Sequence, residues 1–468
     1  MRFQSLASKV FWWQQAANVL TFGRSILLMC LISAEGYGTF ALASVLLSYF
    51  SILRSFDFRA PVVTAPEAHQ RLLRTQYAVE TGLCLVNIVL FAIATPLLAR
   101  WYQNSLLLVT GALLLADGVD GCAGTPLYLT ERALEFPYLT RLKAMIGYFS
   151  FAICLVLAWF GWGAWALAVD RMVVSSLVAL CIWRRKVWSP GFAFDRESFR
   201  YLLNFGGALF FAGLWGKILF GFDIFLVGTL LGETSAGFYS RAQVFARLPM
   251  DLGTGFLGLM ALALYAAARR ESNEQTYQRY EMMSANIARI SMWMAGGIAL
   301  ALDQALPFLL KKKGQEWLPM VPIFWALLPY AVGRPLFQNA AQCITSLHEQ
   351  RFFLLVVSVL SVIYGALLIW LVKVSILWTA AASGLVLIIG FFWLEHRLHR
   401  RLGGTSWRTA LMPLLLLAAA LALRLGLDRL SLDAAWKMTA IVILGLVYTA
   451  AAYGEWRFHC HKKIGLET

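Results

Sequence analysis

The sequence contains few charged residues for its length. Only 14% of its 468 residues are charged and 60% are apolar, a composition that would leave very large apolar patches exposed in a water-soluble domain. It also lacks a Walker loop ending in Gly-Lys-Ser/Thr, a nucleophile elbow, a His-Glu-x-x-His helix and Cys-x-x-Cys pairs. These absences exclude Walker-type use of ATP and leave no recognisable motif for a hydrolase or a zinc enzyme.

Cysteine is also scarce, and its spacing excludes a disulfide or zinc framework. Six of the seven cysteines lie in or beside apolar runs, where the side chain behaves as a small hydrophobe. The seventh belongs to the His459-Cys460-His461 tail, whose adjacent residues point in different directions and are followed by no second ligand pair. We therefore predict neither a metal site nor a cofactor.

Long apolar runs dominate the rest of the chain. They are apolar on every side rather than alternating, which predicts membrane-spanning helices rather than a β-barrel. The fold class is therefore all-α and polytopic, with about fourteen transmembrane helices. The predicted spans are 9–32, 38–57, 77–99, 105–125, 142–160, 163–183, 203–231, 237–266, 285–309, 317–345, 352–372, 375–395, 409–427 and 438–455.

The net charge of +15 is distributed between the apolar runs rather than along one soluble face. With both termini in the cytoplasm, cations on the inner side outnumber those on the outer side by roughly three to one, as the positive-inside rule requires. The pattern predicts a bacterial inner-membrane protein and excludes nucleic acid as a partner. Lys311–Lys313 is a local exception on the outer side, with a role that the sequence leaves open.

No loop between predicted helices exceeds about 20 residues. The chain therefore has no room for a soluble catalytic domain, and we predict that it is not an enzyme. Any chemistry must take place inside the helix bundle or at its rims.

An internal repeat appears when the chain is shifted by 199 positions. The segment that starts at Arg24 then aligns with the segment that starts at Asp223, and Gly38 aligns with Gly237. Because six predicted spans separate the two copies, the repeat is parallel, as in a two-lobed transporter with its site between the lobes. The predicted division is 1–190 for the first lobe, 191–400 for the second, and 401–468 for two additional helices and a tail.

Three segments carry a family resemblance: Leu226–Pro249, Pro126–Ala144 and Gly314–Ala331. They resemble the polysaccharide flippases of the multidrug/oligosaccharidyl-lipid/polysaccharide (MOP) exporter superfamily, over roughly residues 1–395. The resemblance implies alternating-access transport of undecaprenyl diphosphate-linked oligosaccharide for exopolysaccharide or lipopolysaccharide synthesis. It also implies membrane lipids, a proton or sodium gradient and a polysaccharide polymerase as partners.

Charged residues inside predicted spans are the candidate site, because a charge at mid-bilayer costs about 2.5–3.5 kcal/mol on insertion scales. Arginine offers paired hydrogen bonds to phosphate oxygens, and lysine offers a compact charge. The predicted substrate-binding cations are Arg24, Arg54, Lys217, Arg241 and Arg334. The alternative is that such cations lock helices together by pairing with carboxylates, which we favour for Arg54 with Asp57 and for Arg171 with Asp170 or a facing carboxylate.

Intramembrane acids are candidates for ion coupling, because burial makes the charge of a carboxyl group switchable. The acids within predicted spans are Asp117, Asp120, Asp170, Asp223 and Asp303. Asp223, at the repeat position, is the first choice, and Asp303 is the second. The alternative for Asp223 is a permanent salt bridge with Arg24 or Lys217.

Three rival functions stay open at this point. A multidrug or ion antiporter of the same superfamily would need an acidic cavity for cationic substrates. A membrane glycan polymerase or ligase would need a sizeable outer loop, which the spacing of the predicted helices does not provide. A peptidoglycan-precursor flippase is not excluded by the sequence, although the closest motifs resemble the exopolysaccharide branch.

Overall fold

The computed structural model describes residues 22–51, 61–62, 69–133, 135–254, 261, 264–265, 268–404, 410–429 and 434–464, which contain helices and no strands. Every predicted span overlaps a helix in these ranges, so the all-α polytopic fold is confirmed. The helices are α1 (22–29), α2 (Ala34–Phe50), α3 (Gln70–Leu98), α4 (Asn104–Cys122), α5 (Gly124–Arg132), α6 (Phe136–Trp159), α7 (Ala164–Arg184), α8 (Arg196–Leu231), α9 (Glu233–Leu248), α10 (Asn273–Leu310), α11 (Met320–Ala326), α12 (Leu328–Ser346), α13 (Gln350–Val374), α14 (Ile376–Leu402), α15 (Leu411–Arg429) and α16 (Ala434–Ile464).

Helix length and surface character both indicate a lipid environment. Among the described residues, nine helices are long and apolar enough to cross a membrane, or ten when the bent pair α11 and α12 counts as one span. On α3, Leu85, Val89 and Ile93 are all exposed. Their four-residue spacing places them on one helix face. An exposed apolar face of this size is unfavourable in water. The chain is a multi-pass membrane protein.

The short helix α5 lies where the sequence predicts the end of a span and a loop. It is held against α3 by buried polar contacts: Thr125 donates to the Gln76 side chain at 2.6 Å, and the Tyr128 hydroxyl donates to Glu80 at 3.1 Å. Hydropathy cannot find such a helix, because its position depends on hydrogen bonds to residues about 48 positions away rather than on an apolar run.

Contacts divide the described chain into two compact units, Met1–Gly237 and Phe238–Thr468. In the first unit α2 packs against α4, α7 and α8; in the second, α12 packs on α14, and α10 packs on α12, α15 and α16. Helix α8, which the sequence assigns to the second lobe, thus packs within the first unit. The predicted lobe boundaries at 190 and 400 come from the sequence repeat, whereas the two units are defined by contacts between residues. The lobe boundaries stay predictions.

A bend of 43° separates α11 from α12 at Leu327. Pro329 follows within the first turn of α12, and proline has no N–H to donate back to the preceding turn. The bend therefore has a local sequence cause. It precedes Arg334, one of the predicted cations, by about two turns of helix.

The repeated glycines meet in a reciprocal backbone contact. A Cβ on Gly38 would lie 1.6 Å from the carbonyl oxygen of Glu233, and a Cβ on Gly237 would lie 1.8 Å from that of Ala34. Ala34 and Glu233 are equivalent positions of the repeat, because they are also 199 residues apart. The glycine of each copy therefore contacts the same backbone carbonyl position in the other copy. The hydroxyl of Thr39 adds a hydrogen bond to the Glu233 carboxylate. No side chain larger than hydrogen fits at this crossing of α2 and α9.

We expect Gly38→Ala to destabilise the protein by about 1–3 kcal/mol, because the new methyl group must push two helix backbones apart. Thermal unfolding of the purified protein measures this. Gly82→Ala on α3 is the matched control: its Cβ would meet nothing within 4 Å, and alanine favours a helix over glycine. An unfolding temperature for Gly38→Ala equal to that of Gly82→Ala would contradict the close contact.

A second packing contact joins the start of α13 to the end of α14. The carboxylate of Glu349 accepts from the Nε atoms of Arg397 at 2.6 Å and Arg401 at 2.5 Å. Partial burial alone would raise the pKa of Glu349, but the hydrogen bonds and charges of both arginines outweigh it and hold the pKa below its usual value. The ion pair therefore favours the folded state whenever Glu349 is ionised.

A pKa that is lower in the folded state gives stability that is complete above the unfolded pKa, about 4.3 for glutamate. That stability is lost as the pH falls through the lower folded value. We therefore expect Glu349→Gln to lower the unfolding temperature at pH 7, with the difference from wild type shrinking from about pH 5 downward. Glu274→Gln, at an exposed position on α10, should stay close to wild type throughout. A constant difference between pH 7 and pH 3.5 would refute this role.

Candidate functional site

The first unit concentrates charged side chains on α1, α4, α7 and α8. Arg24 on α1 forms an ion pair with Asp170 on α7. The next residue on α7, Arg171, pairs with Asp120 on α4 at 2.5 Å. Neighbouring residues of α7 therefore tie that helix to two different partners, as expected from the 100° turn between successive helical positions.

Arg24 lies against an apolar wall contributed by α6. Its guanidinium carbon is 5.0 Å from the centroid of the Phe151 ring, within range of a cation–π contact. The fully buried thiol of Cys154 lies within electrostatic reach of both Arg24 and Asp170. The arginine is thus oriented by a ring and a carboxylate from different helices, and its side chain keeps 23% of its surface exposed.

Lys217 on α8 binds the C-terminal end of α2. Its Nζ donates to the Ser48 carbonyl at 2.5 Å, one of the last helical carbonyls, which lack a partner within the helix. The negative end of the helix dipole also favours a cation at this position. Asp117 on α4 lies beside Lys217 and accepts from the Ser51 hydroxyl at 3.1 Å. Lys217 therefore joins α8 to α2 and α4.

Asp223 is 1% exposed and accepts the backbone N–H of Ile224 at 2.8 Å. It also lies near Tyr49 on α2. Of the two cations named as possible salt-bridge partners of Asp223, Arg24 pairs with Asp170 and Lys217 donates to the Ser48 carbonyl, and the alternative of a permanent salt bridge stays a prediction.

The charges of this cluster nearly cancel. Arg24, Arg171 and Lys217 each have one carboxylate beside them, from Asp170, Asp120 and Asp117 respectively. An anionic ligand that binds here must join or replace a carboxylate. Sequence reasoning recorded these acids as possible ion sites but could not pair Arg24 with Asp170, because 146 residues separate the two.

Two further predicted cations lie in the second unit. Arg334 on α12 donates to the hydroxyl of Tyr330, one turn earlier, and its guanidinium carbon lies 5.3 Å from the centre of that ring. Arg241 is half-buried on α9. Arg54 lies outside the described residues, so the structure assigns it no position.

Asp303, the second choice for ion coupling, is in contact with Arg424 of α15. Arg424 is 1% exposed and also contacts Asp428 at 2.5 Å. Such a pair holds α10 against α15, and removing one partner of a buried pair is costly. This environment favours a structural role for Asp303 over an exchangeable ion site.

Arg289 and Glu455 form a second interhelical lock that the sequence did not indicate. Three contacts of 2.7–3.0 Å join the Arg289 guanidinium on α10 to both carboxylate oxygens of Glu455 on α16. A cavity of about 360 Å³ adjoins this pair between α10, α15 and α16, and its wall is mainly apolar. The lining includes Met292, Trp293, Pro413, Leu416 and Tyr448.

Comparison with known sequences gives the family. A family described as "Polysaccharide biosynthesis protein" matches residues 27–322, well over half of the chain. The chain belongs to this family. It is also 21% identical over 408 residues to the teichuronic acid biosynthesis protein TuaB of Bacillus subtilis strain 168, covering 85% of this chain and 84% of TuaB.

Solved structures with the same fold are transporters. A structure of the lipid II flippase MurJ in an inward closed conformation matches 97% of this chain and 99% of its own, with a TM-score of 0.72 at 13% identity. An inward-facing multidrug resistance MATE family transporter of the MOP superfamily covers 81% of this chain and 94% of its own, with a TM-score of 0.57 at 15% identity. This family member therefore has a MOP-type fold, as its sequence motifs predicted.

Proposed function

We propose that the protein is a flippase that moves undecaprenyl diphosphate-linked oligosaccharide from the cytoplasmic to the periplasmic leaflet of the bacterial inner membrane, with both termini in the cytoplasm. The observation that carries the proposal is the half-buried Arg24 in a polytopic member of a polysaccharide biosynthesis family. An arginine kept partly exposed inside a membrane protein suits a ligand with phosphate oxygens. The fold shared with the lipid II flippase MurJ supports the same class of transport.

We propose Lys217, Arg241, Arg334 and Arg54 as further substrate-binding cations. Lys217 supplies a compact charge beside the end of α2, and Arg334 follows the bend that Pro329 introduces. Several cations suit a substrate whose diphosphate carries more than one charge. The apolar cavity beside α15 and α16 offers a surface suited to a lipid chain.

Arg24→Ala should slow transport at least tenfold, because a charge-assisted hydrogen bond to an ion contributes about 1.5–3 kcal/mol. The assay uses proteoliposomes that carry a lipid diphosphate-linked oligosaccharide and follows its accessibility to a membrane-impermeant glycosidase. Arg171→Ala is the matched control, since it removes a neighbouring arginine that pairs with Asp120 at the more exposed position. We expect the control to retain most of the wild-type rate.

Equal rates for wild type and Arg24→Ala, at equal protein levels, would refute the role of Arg24. Efflux of a cationic dye such as ethidium in the same vesicles distinguishes the rival multidrug exporter. Dye efflux without glycan transport would assign the protein to that rival function.

We propose Asp223 as the residue that couples transport to a proton or sodium gradient. It is a buried carboxyl group on α8, beside Tyr49 and close to the helix segment that carries Lys217. Replacement by asparagine keeps the shape and removes the switchable charge.

Asp223→Asn should transport at a rate that no longer responds to an imposed gradient, while still binding substrate. The measurement compares initial rates with and without proton and sodium gradients in the same proteoliposomes. Asp303→Asn serves as the comparison, because the structure favours a packing role for Asp303. Gradient-stimulated transport in Asp223→Asn would rule out the coupling role.

A further inference from the structure

The ion pair between Arg24 and Asp170 is held by a single contact. One nitrogen of the guanidinium, Nη2, donates to Oδ2 of Asp170. Arginine has five N–H donors, and the other described contacts of the Arg24 guanidinium are the Phe151 ring and the Cys154 thiol, whose sulfur is a weak acceptor. The other oxygen, Oδ1 of Asp170, is buried and accepts no hydrogen bond from a described residue. Both partners therefore keep unused hydrogen-bonding capacity.

The pair between Arg289 and Glu455 shows what a structural lock looks like in the same protein. There, three contacts of 2.7–3.0 Å engage both carboxylate oxygens, and the arginine side chain is only 8% exposed. Arg24 has one contact and is 23% exposed. A one-contact pair that water can reach loses less when its carboxylate is replaced by another anion.

Arg24 also contacts residues of a helix other than the one that carries Asp170. Phe151 and Cys154 both come from α6, while Asp170 comes from α7. The contact between the guanidinium and the Phe151 ring therefore does not involve the helix that carries Asp170. An incoming anion would meet an arginine that is already oriented, which lowers the entropy lost on binding.

We propose that Asp170 is an internal counter-anion that occupies Arg24 in the substrate-free protein and that the substrate's diphosphate displaces. This inference rests on the proposed flippase function and adds a residue that sets substrate affinity. A diphosphate offers several oxygens to the N–H donors that Asp170 leaves unused, so the exchange gains hydrogen bonds. The carboxylate also spares the empty protein an unpaired cation in the membrane, and it recaptures Arg24 when the substrate leaves.

The test measures binding of farnesyl diphosphate to the full-length protein in nanodiscs by isothermal titration calorimetry. Asp170→Asn should bind it roughly tenfold more tightly than wild type, since the competing charge is gone. The double variant Arg24→Ala/Asp170→Asn should lose this gain. Asp120→Asn, which frees the neighbouring Arg171 instead, is the matched control and should leave affinity unchanged.

Inorganic pyrophosphate and farnesyl monophosphate complete the design. If Arg24 binds the diphosphate group itself, Asp170→Asn should bind farnesyl diphosphate and inorganic pyrophosphate more tightly than wild type does. Its affinity for farnesyl monophosphate should stay unchanged. If Asp170→Asn gained affinity only for the two farnesyl compounds, the lipid chain would be the recognised group, and the proposal would be overturned. Asp170→Ser serves as a second variant, with thermal unfolding as the check that each protein is folded.

Unchanged or weaker binding in folded Asp170→Asn and Asp170→Ser, while wild type binds and transports, would overturn the role of Asp170 alone. An equal gain in Asp120→Asn would overturn it as well, because any freed arginine would then suffice. Absence of both binding and glycan transport in wild type would instead reject the proposed function, and this inference with it.

Discussion

The cost of placing an ion in hydrocarbon governs the arrangement of this protein. Insertion scales put that cost at about 2.5–3.5 kcal/mol for each charge at mid-bilayer. Three described ion pairs between helices lower this cost: Arg24 with Asp170, Arg171 with Asp120, and Arg289 with Glu455. Each pair joins helices that are distant in sequence, so the requirement for neutrality also defines how the helices pack. The pairs differ in the number of their hydrogen bonds: Arg289 and Glu455 share three contacts, and Arg24 and Asp170 share one. We propose that the first pair is structural and that the second is exchangeable.

Backbone proximity is the second constraint. Without water as a competing phase, helices in a membrane associate through close packing, and glycine permits the closest approach. The reciprocal contact of Gly38 and Gly237 uses this at equivalent positions of the repeat, with each glycine against a carbonyl of the other helix. The sequence repeat thus corresponds to a structural relation between α2 and the start of α9. Its physical basis is the absence of a side chain at two positions 199 residues apart.

A transporter for a diphosphate must bind an anion and also release it. A cluster of unpaired arginines would bind strongly, cost free energy when empty and hold its ligand. In the first unit, cations and carboxylates are nearly balanced, and Arg24 and Asp170 share a single contact. The proposed transport of a lipid-linked glycan accounts for this arrangement, and family membership and the MOP-type fold support that proposal.

The sequence by itself determined the helical membrane fold, the family and which residues carry charge within the membrane, because hydropathy and motif spacing are local properties. It missed α5, which depends on contacts with Gln76 and Glu80. Only the tertiary structure decided that Arg24 meets Asp170 and that Asp303 meets Arg424. Ion pairs across 146 and 121 residues depend on how helices are rotated and packed, and no local pattern in the chain encodes that.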